Sequence, residues 1–214
     1  MSTIKVDTIQ NSVGENLIFE NKNLLINGGM NIFQRSTSQA SVTATGYYTA
    51  DRWRLATNLG TFTQSRSTDV PSAQGFGYSL KMDCTTADAS PTSNKFLIIQ
   101  QKIEGQNLQH LLKGSSSSKA VTLSFWVKSN KTGTYVIEID HETASRSISK
   151  SYTISSANTW EKKVISFDGD TSSTIANDNA IGLSILWWLG GGSNFTSGSL
   201  GTSWASTTDA NRAV

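Results

Sequence analysis

One pattern recurs along most of the chain: short segments in which apolar and polar residues alternate, each ended by a cluster of turn-forming residues. Eight segments carry it: DRWRLAT, GYSLKMDC, NKFLIIQQKIEG, AVTLSFWVKSN, GTYVIEID, RSISKSYTI, WEKKVISFDG and IGLSILWWLG. Alternation with period two sends successive side chains to opposite faces, so each segment predicts a β-strand with one face buried. Between them lie Asn130-Lys131-Thr132-Gly133, Ser155-Ser156-Ala157-Asn158 and Asp168-Gly169-Asp170. In these clusters Gly and Asn accept positive φ, and Ser or Asp caps local backbone. Helical spacing is confined to GQNLQHLLKGSSSS, where Leu108, Leu111 and Leu112 fall at i, i+3 and i+4. A short helix stopped by Gly114 is expected there, plugging one end of the fold, with Ser115 to Ser118 as a surface loop. Strand, turn and strand at this spacing predict an all-β sandwich of the jelly-roll kind.

At 214 residues the chain suits a single all-β sandwich with a short appendage. Its formal charge of +2 comes from Lys and Arg scattered singly. No basic block is present that could follow a phosphate backbone, so nucleic acid is not an expected partner. Cys84 is the single cysteine and cannot form an internal disulfide. Within YSLKMDC it is expected to pack as a small buried hydrophobe. No window approaches the roughly 18 apolar residues of a membrane span, and the leader has no apolar core run. The expectation is a soluble protein without a secretion signal or membrane insertion. The Asn-x-Thr sequences at Asn130 and Asn194 are accordingly read as chance matches to a glycosylation acceptor.

The first 26 residues differ from the rest. Ile4, Val6 and Thr8 alternate, NSVGEN supplies a turn, and NLIFE resumes an apolar run. A hairpin-like arm of this kind is unstable alone, because a two-stranded element has no core. It must fold back on the sandwich or pair with arms of other subunits. The organisation expected is therefore an extended N-terminal β arm for assembly or attachment over 1–27, then a sandwich domain over 28–214. Asn27-Gly28-Gly29 would be the flexible corner between them. Ile4, Val6, Ile9, Leu17, Ile18 and Phe19 are the candidate oligomerisation residues.

Candidates for catalysis are few. Polysaccharide hydrolysis needs two carboxylates across a cleft. The nearest approach is YVIEIDHE, where Glu138 and Asp140 share a strand face and His141 and Glu142 follow. Like charges this close can share a proton or bind a cation, or simply form a polar outer face. Asp168 and Asp170 in FDGDT can be calcium ligands or ordinary turn residues. His110 and His141 are the available imidazole bases, and neither a nucleophile elbow, a phosphate loop nor a Cys-x-x-Cys motif is present. The expectation is a protein that is not an enzyme, with no metal and no cofactor.

Six tryptophans are many for so polar a chain. In TLSFWVKS the apolar face is Leu123, Phe125 and Val127, which leaves Trp126 outward. In LSILWWLG the inward set is Leu183, Ile185, Trp187 and Leu189, which leaves Trp188 outward. An outward indole can stack on a sugar ring, and it can equally be covered by a neighbouring subunit or a loop. Trp126 and Trp188, with Tyr135 as a third, are the candidate carbohydrate-binding residues.

Five segments in order, NLLINGGMNIFQRS, YTADRWRL, QQKIEG, VTLSFWVKSN and YTISSANTWEKKVISFDGDT, together resemble jelly-roll domains of bacteriophage tail fibre and related virion structural proteins. The leader STIKVDTIQNSVGE is similar to N-terminal segments of such proteins in marine and cyanobacterial phages, and VTLSFWVKS to carbohydrate-binding modules with a jelly-roll fold. The resemblance implies a virion protein, a tail fibre component that assembles as a homo-oligomer, commonly a trimer, with other tail proteins, and that touches host surface glycans. The alternatives are a carbohydrate-binding module, a polysaccharide depolymerase fragment, or a capsid decoration or fibre adaptor protein. Such domains end with a further apolar strand after the polar loop. Because STTDANRAV is followed by none, an open sheet edge beside LSILWWLG is expected, covered by a neighbour, by sequence beyond Val214, or by the arm's Leu24 to Phe33.

Overall fold

All eight expected segments form strands. The computed structural model describes residues 23–214, and within them the strands are β1 (Ser38–Val42), β2 (Arg54–Thr57), β3 (Thr61–Ser67), β4 (Ser79–Thr86), β5 (Phe96–Glu104), β6 (Val121–Val127), β7 (Gly133–His141), β8 (Arg146–Ile154), β9 (Glu161–Phe167), β10 (Ile181–Gly191) and β11 (Ala205–Ser206). The assembly arm expected over the leader, with Ile4, Val6, Ile9, Leu17, Ile18 and Phe19, lies outside the described residues.

The pairing is nested. β7 pairs with β8, β6 with β9 and β5 with β10, all antiparallel. One long ribbon, β5-β6-β7 running beside β10-β9-β8, therefore wraps across two layers, which is the jelly-roll principle. Its first layer is a six-stranded sheet in the order β11-β8-β7-β10-β5-β2. The facing layer is in two pieces, β6-β9 and β1-β3-β4. Asp69 ties the pieces together, accepting hydrogen bonds from Lys128 Nζ at 2.5 Å and Trp160 Nε1 at 2.9 Å.

Alternation sorts the layers as expected. Leu183, Ile185 and Trp187 of β10 face inward with Ile137 and Ile139 of β7, and Leu123, Phe125 and Val127 of β6 close on them. Trp53 and Trp187 meet at 5.3 Å between ring centroids. The other face of the large sheet is covered too. A four-residue helix, α1 (Ser193–Thr196), and the segment through Ala213 lie over Val136, Leu186 and Trp188. Arg212 clamps this segment down, donating from Nε to Glu138 at 3.0 Å and from Nη2 to Asp140 at 2.9 Å.

Several expectations are corrected here. β10 lies between β5 and β7, so it has no open edge to be covered. The arm residues expected to cover one instead pack at the sandwich end, with Leu24, Leu25, Met30 and Phe33 against the core. The expected helix is two 3-10 turns, Gly105–Asn107 and Gln109–Leu111. Leu112 takes a left-handed φ of 51° and ends the second, so Leu108 and Leu111 are buried while Leu112 is exposed. Cys84 is exposed, because it sits near the end of β4, an outer strand of its sheet.

The Asn27 corner is a hydrogen-bonded hub. The Asn27 side chain donates to the carbonyls of Ile32 (2.9 Å) and Asp51 (3.1 Å) and accepts from the N–H groups of Asn31 (2.9 Å) and Ile32 (3.0 Å). Its own carbonyl accepts from Trp53 Nε1 at 3.1 Å. Asn27 and Met30, not the two glycines, take positive φ, 54° and 51°. Asn tolerates that region because its short amide satisfies neighbouring backbone. Asn27→Ala is therefore expected to lower unfolding stability by about 3 kcal/mol, from lost hydrogen bonds and left-handed strain. Gly28→Ala, with nothing closer than Leu25 Cβ at 4.0 Å, is expected to be mild. Urea unfolding of both variants decides the matter, and equal effects would show that the corner depends on glycine after all.

Candidate functional site

The Asn27 hub shapes one wall of a groove of about 780 Å³ at the end of the sandwich where β5 finishes and β10 begins. Four stretches of chain meet there and make three sides. Asn27, Ile32, Gln34 and Arg35 form one side, Tyr47, Asp51 and Arg52 the second, and Lys102 to Glu104 with Asn179 and Ile181 the third. Asp51 N donates to the Ile32 carbonyl at 3.0 Å, which holds the first two sides together. Gln101, fully buried on β5, grips Ile26 at both ends of its peptide, accepting from the N–H at 2.7 Å and donating to the carbonyl at 2.9 Å.

The surface of the groove is mixed in a definite way. Ile26, Ile32 and Tyr47, 46, 47 and 40% exposed, line it, and they are three of the seven large apolar or aromatic side chains exposed among the described residues. The Arg35 guanidinium lies 5.6 Å from the Tyr47 ring centroid and reaches Asp51 at 3.2 Å. Arg52 reaches Glu104 at 3.5 Å. Amides, paired charges and an open aromatic ring in one concave surface suit a polyhydroxylated ligand, which needs hydrogen-bond partners of both signs and a flat face for its C–H groups.

The aromatic residues expected to bind carbohydrate do not meet. Trp126 faces away from the core on β6, half-buried, opposite Lys162 of β9. Tyr135 is on the inner face of β7, stacked on Tyr152 at 5.7 Å, its hydroxyl donating to the Lys131 carbonyl. Trp188 does lie on the opposite face from Trp187, but it is 3% exposed. The C-terminal segment covers it, with Phe195 at 5.2 Å, and its Nε1 donates to Glu138 at 2.8 Å. An outward ring was expected; burial of that face by the C-terminal segment makes it an inner one. No single segment of sequence marks the groove, because its residues come from separate loops; Tyr47 beside a turn was the available signal.

The YVIEIDHE cluster is divided by the pleat. His141 faces the core side, buried, with Nδ1 unpartnered, while Glu138, Asp140 and Glu142 share the outer side. Burial pushes the Asp140 carboxyl above the usual range, although Arg212 opposes this. Burial also pushes Glu142 up, but the Ser184 hydroxyl at 2.8 Å and the Lys102 ammonium more than offset it, so Glu142 lies below the usual range. Two neighbouring carboxyls are thus driven apart in acidity. Asp170 is bound by Arg146 through two hydrogen bonds, at 2.9 and 3.0 Å, and among the described residues no three His, Cys, Asp or Glu gather as a metal site.

No family model matches the sequence, and no curated protein matches it as a relative. A solved structure to which the chain is similar is the enzymatically active domain of tailspike protein 4 of bacteriophage CBA120, at 16% identity and a TM-score of 0.45. The match covers 77% of this chain, which spans 20% of the length of that one. The expectation of a protein that is not an enzyme is corrected by this match, since the similar domain is described as enzymatically active.

One buried charge gives a pH test of the sandwich end. Lys113 Nζ is buried without a hydrogen-bond partner, 3.6 Å over the Trp204 ring, with Asp170, Arg146 and His141 around it. Burial lowers its pKa from 10.5 to about 8. Between those values the unfolded chain holds a proton that the folded chain has released, so stability rises with pH across that window. The melting temperature is expected to climb from pH 8 to 9.5 in the parent and to climb less in Lys113→Met. Parallel profiles would show that Lys113 titrates normally.

Proposed function

We propose that this chain is a polysaccharide-recognising domain of a tailspike-type phage tail protein, and that the groove holds a bacterial surface glycan for depolymerisation. The observation that carries this reading is the groove itself, which collects exposed apolar and aromatic side chains, amides and paired charges in one concavity. The phage setting rests on the resemblance of the five ordered segments to virion jelly-roll domains. Tyr47 is the stacking platform, with Arg35 and Asp51 as hydrogen-bonding partners beside it. Trp126, half-buried on the β6-β9 face, is a separate stacking surface. Assembly through Ile4, Val6, Ile9, Leu17, Ile18 and Phe19 of the leader, to a trimer, belongs to the same proposal.

The test is binding of bacterial surface polysaccharides by affinity electrophoresis, with reducing-end release measured in parallel. Tyr47→Ala is expected to weaken binding about ten-fold, the loss of one stacking ring, and Trp126→Ala to have a smaller effect. Binding that survives Tyr47→Ala unchanged would sink the groove reading. Release of reducing ends by the parent would show that the chain also cleaves the glycan it holds. Solution mass gives the assembly test: the full chain is expected as a trimer and the chain lacking residues 1–26 as a monomer, and a monomeric full chain at micromolar concentration would count against assembly by the leader.

A further inference from the structure

We propose that the groove selects polysaccharide bearing carboxylate groups, and that Arg52 and Arg35 read the carboxylate; this rests on the groove being the glycan site. Three formal positive charges, Arg35, Arg52 and Lys102, and two negative ones, Asp51 and Glu104, line the groove. Lys102 is occupied at its far end by Glu142 at 3.3 Å. The two arginines are held more lightly. Each meets its carboxylate through a single terminal nitrogen, Arg35 by Nη1 and Arg52 by Nη2, and their side chains are 52 and 40% exposed. A guanidinium has five N–H donors, so most of each fork is open to a ligand, and a carboxylate is the group that accepts two of them in parallel.

The protein carboxylates are not stranded when an arginine turns to a ligand. Glu104 also accepts from Gln106 Nε2 at 3.0 Å, and Asp51 accepts from the Gln34 N–H at 3.4 Å. Each acid keeps a partner, which lowers the penalty of exchanging the internal pair for a ligand pair.

The backbone of Arg52 points the same way. It has φ of 72°, and it is the single charged residue among the eight described non-glycine residues with positive φ. It occupies the third position of the turn from Ala50 to Trp53, closed by Trp53 N donating to the Ala50 carbonyl at 3.2 Å. Gly or Asn relieves strain at such a position and Arg does not. The conformation is enforced by its neighbours: Trp53 is buried and anchored to Asn27, and Asp51 N is bonded to Ile32. A strained position that retains a long cation, open to a groove, is accounted for if the cation has a ligand to hold.

The experiment uses the full chain and a panel of uronate-bearing bacterial capsular polysaccharides, each paired with its form in which the carboxylates have been reduced to alcohols. The parent is expected to bind an acidic member about ten-fold tighter than the reduced form, the difference being charge-assisted hydrogen bonds, and to lose that margin as salt is raised. Arg52→Asn is expected to melt higher than the parent yet to bind the acidic polymer no better than the reduced one; Arg35→Gln is expected to lose the same margin without the gain in melting temperature. Equal binding of acidic and reduced forms, lost in Tyr47→Ala, would overturn the carboxylate selectivity and leave the groove standing. Binding indifferent to Tyr47, Arg35 and Arg52 alike would overturn both. Full acidic-polymer binding by Arg52→Asn, or no binding by any acidic member, would also overturn the proposal.

Discussion

β10 has no solvent face over most of its length, and the arrangement around it follows from that. Residues Gly182 to Trp188 are all buried. On one side they meet the sandwich core, and on the other the C-terminal segment. A central strand covered on both faces must satisfy any polar neighbour internally, since an unpaired buried polar group costs several kcal/mol. The outer face accordingly carries a closed set of bonds: Trp188 Nε1 to Glu138, Arg212 to Glu138, and Arg212 to Asp140. Removing Arg212 would leave a fully buried carboxylate beside a second acid, so the C-terminal segment is held by charge as much as by contact.

The same double covering explains where pattern reading succeeds and where it stops. Alternation marked eight of the eleven described strands, and placed Trp187 inward and Trp188 on the other face, because the pleat is a local property of backbone geometry. Whether the other face meets water is decided by residues 193–213, which follow β10 and fold back over it, and nothing within LSILWWLG reports it. β1 is exposed at four of its five residues and has no buried face to mark, and β3 escaped notice for a reason of its own. Gln64 sits at a core position of β3 at 1% exposure, satisfied by the Thr49 hydroxyl at 2.8 Å, so the apolar alternation is interrupted by a polar residue whose partner is distant in sequence. The Leu108, Leu111 and Leu112 spacing predicted a helix, yet 3-10 turns have three residues per turn, so the i+4 leucine falls off the buried face.

The groove was the least legible part. Its residues come from the Asn27 corner, the loop before β2, the end of β5 and the approach to β10, and only the nested ribbon brings them together. The Asn-Gly-Gly sequence was a visible signal, but glycine suggested flexibility. In the structure the glycines are incidental, and the asparagine amide organises the corner by four hydrogen bonds. Rigid backbone at a site is what lets a small set of side chains hold a ligand with little loss of entropy on binding.

Two kinds of ion pair among the described residues differ in what they can do. Glu138 with Arg212 and Asp170 with Arg146 involve carboxylates 0 and 1% exposed, each held by paired hydrogen bonds. Such pairs cannot change partner, because the acid left behind would be unsolvated. Arg35 with Asp51 and Arg52 with Glu104 are the reverse: single contacts, 3.2 and 3.5 Å, at the mouth of a groove. Exposed pairs of this kind add little to stability, about 0 to 1 kcal/mol each, and salt weakens them further. Their low internal value is what makes them useful for recognition. A ligand carboxylate that meets an arginine fork in a concave site competes against one weak contact rather than a closed network, so the balance between protein pair and ligand pair lies close enough to be tipped by binding.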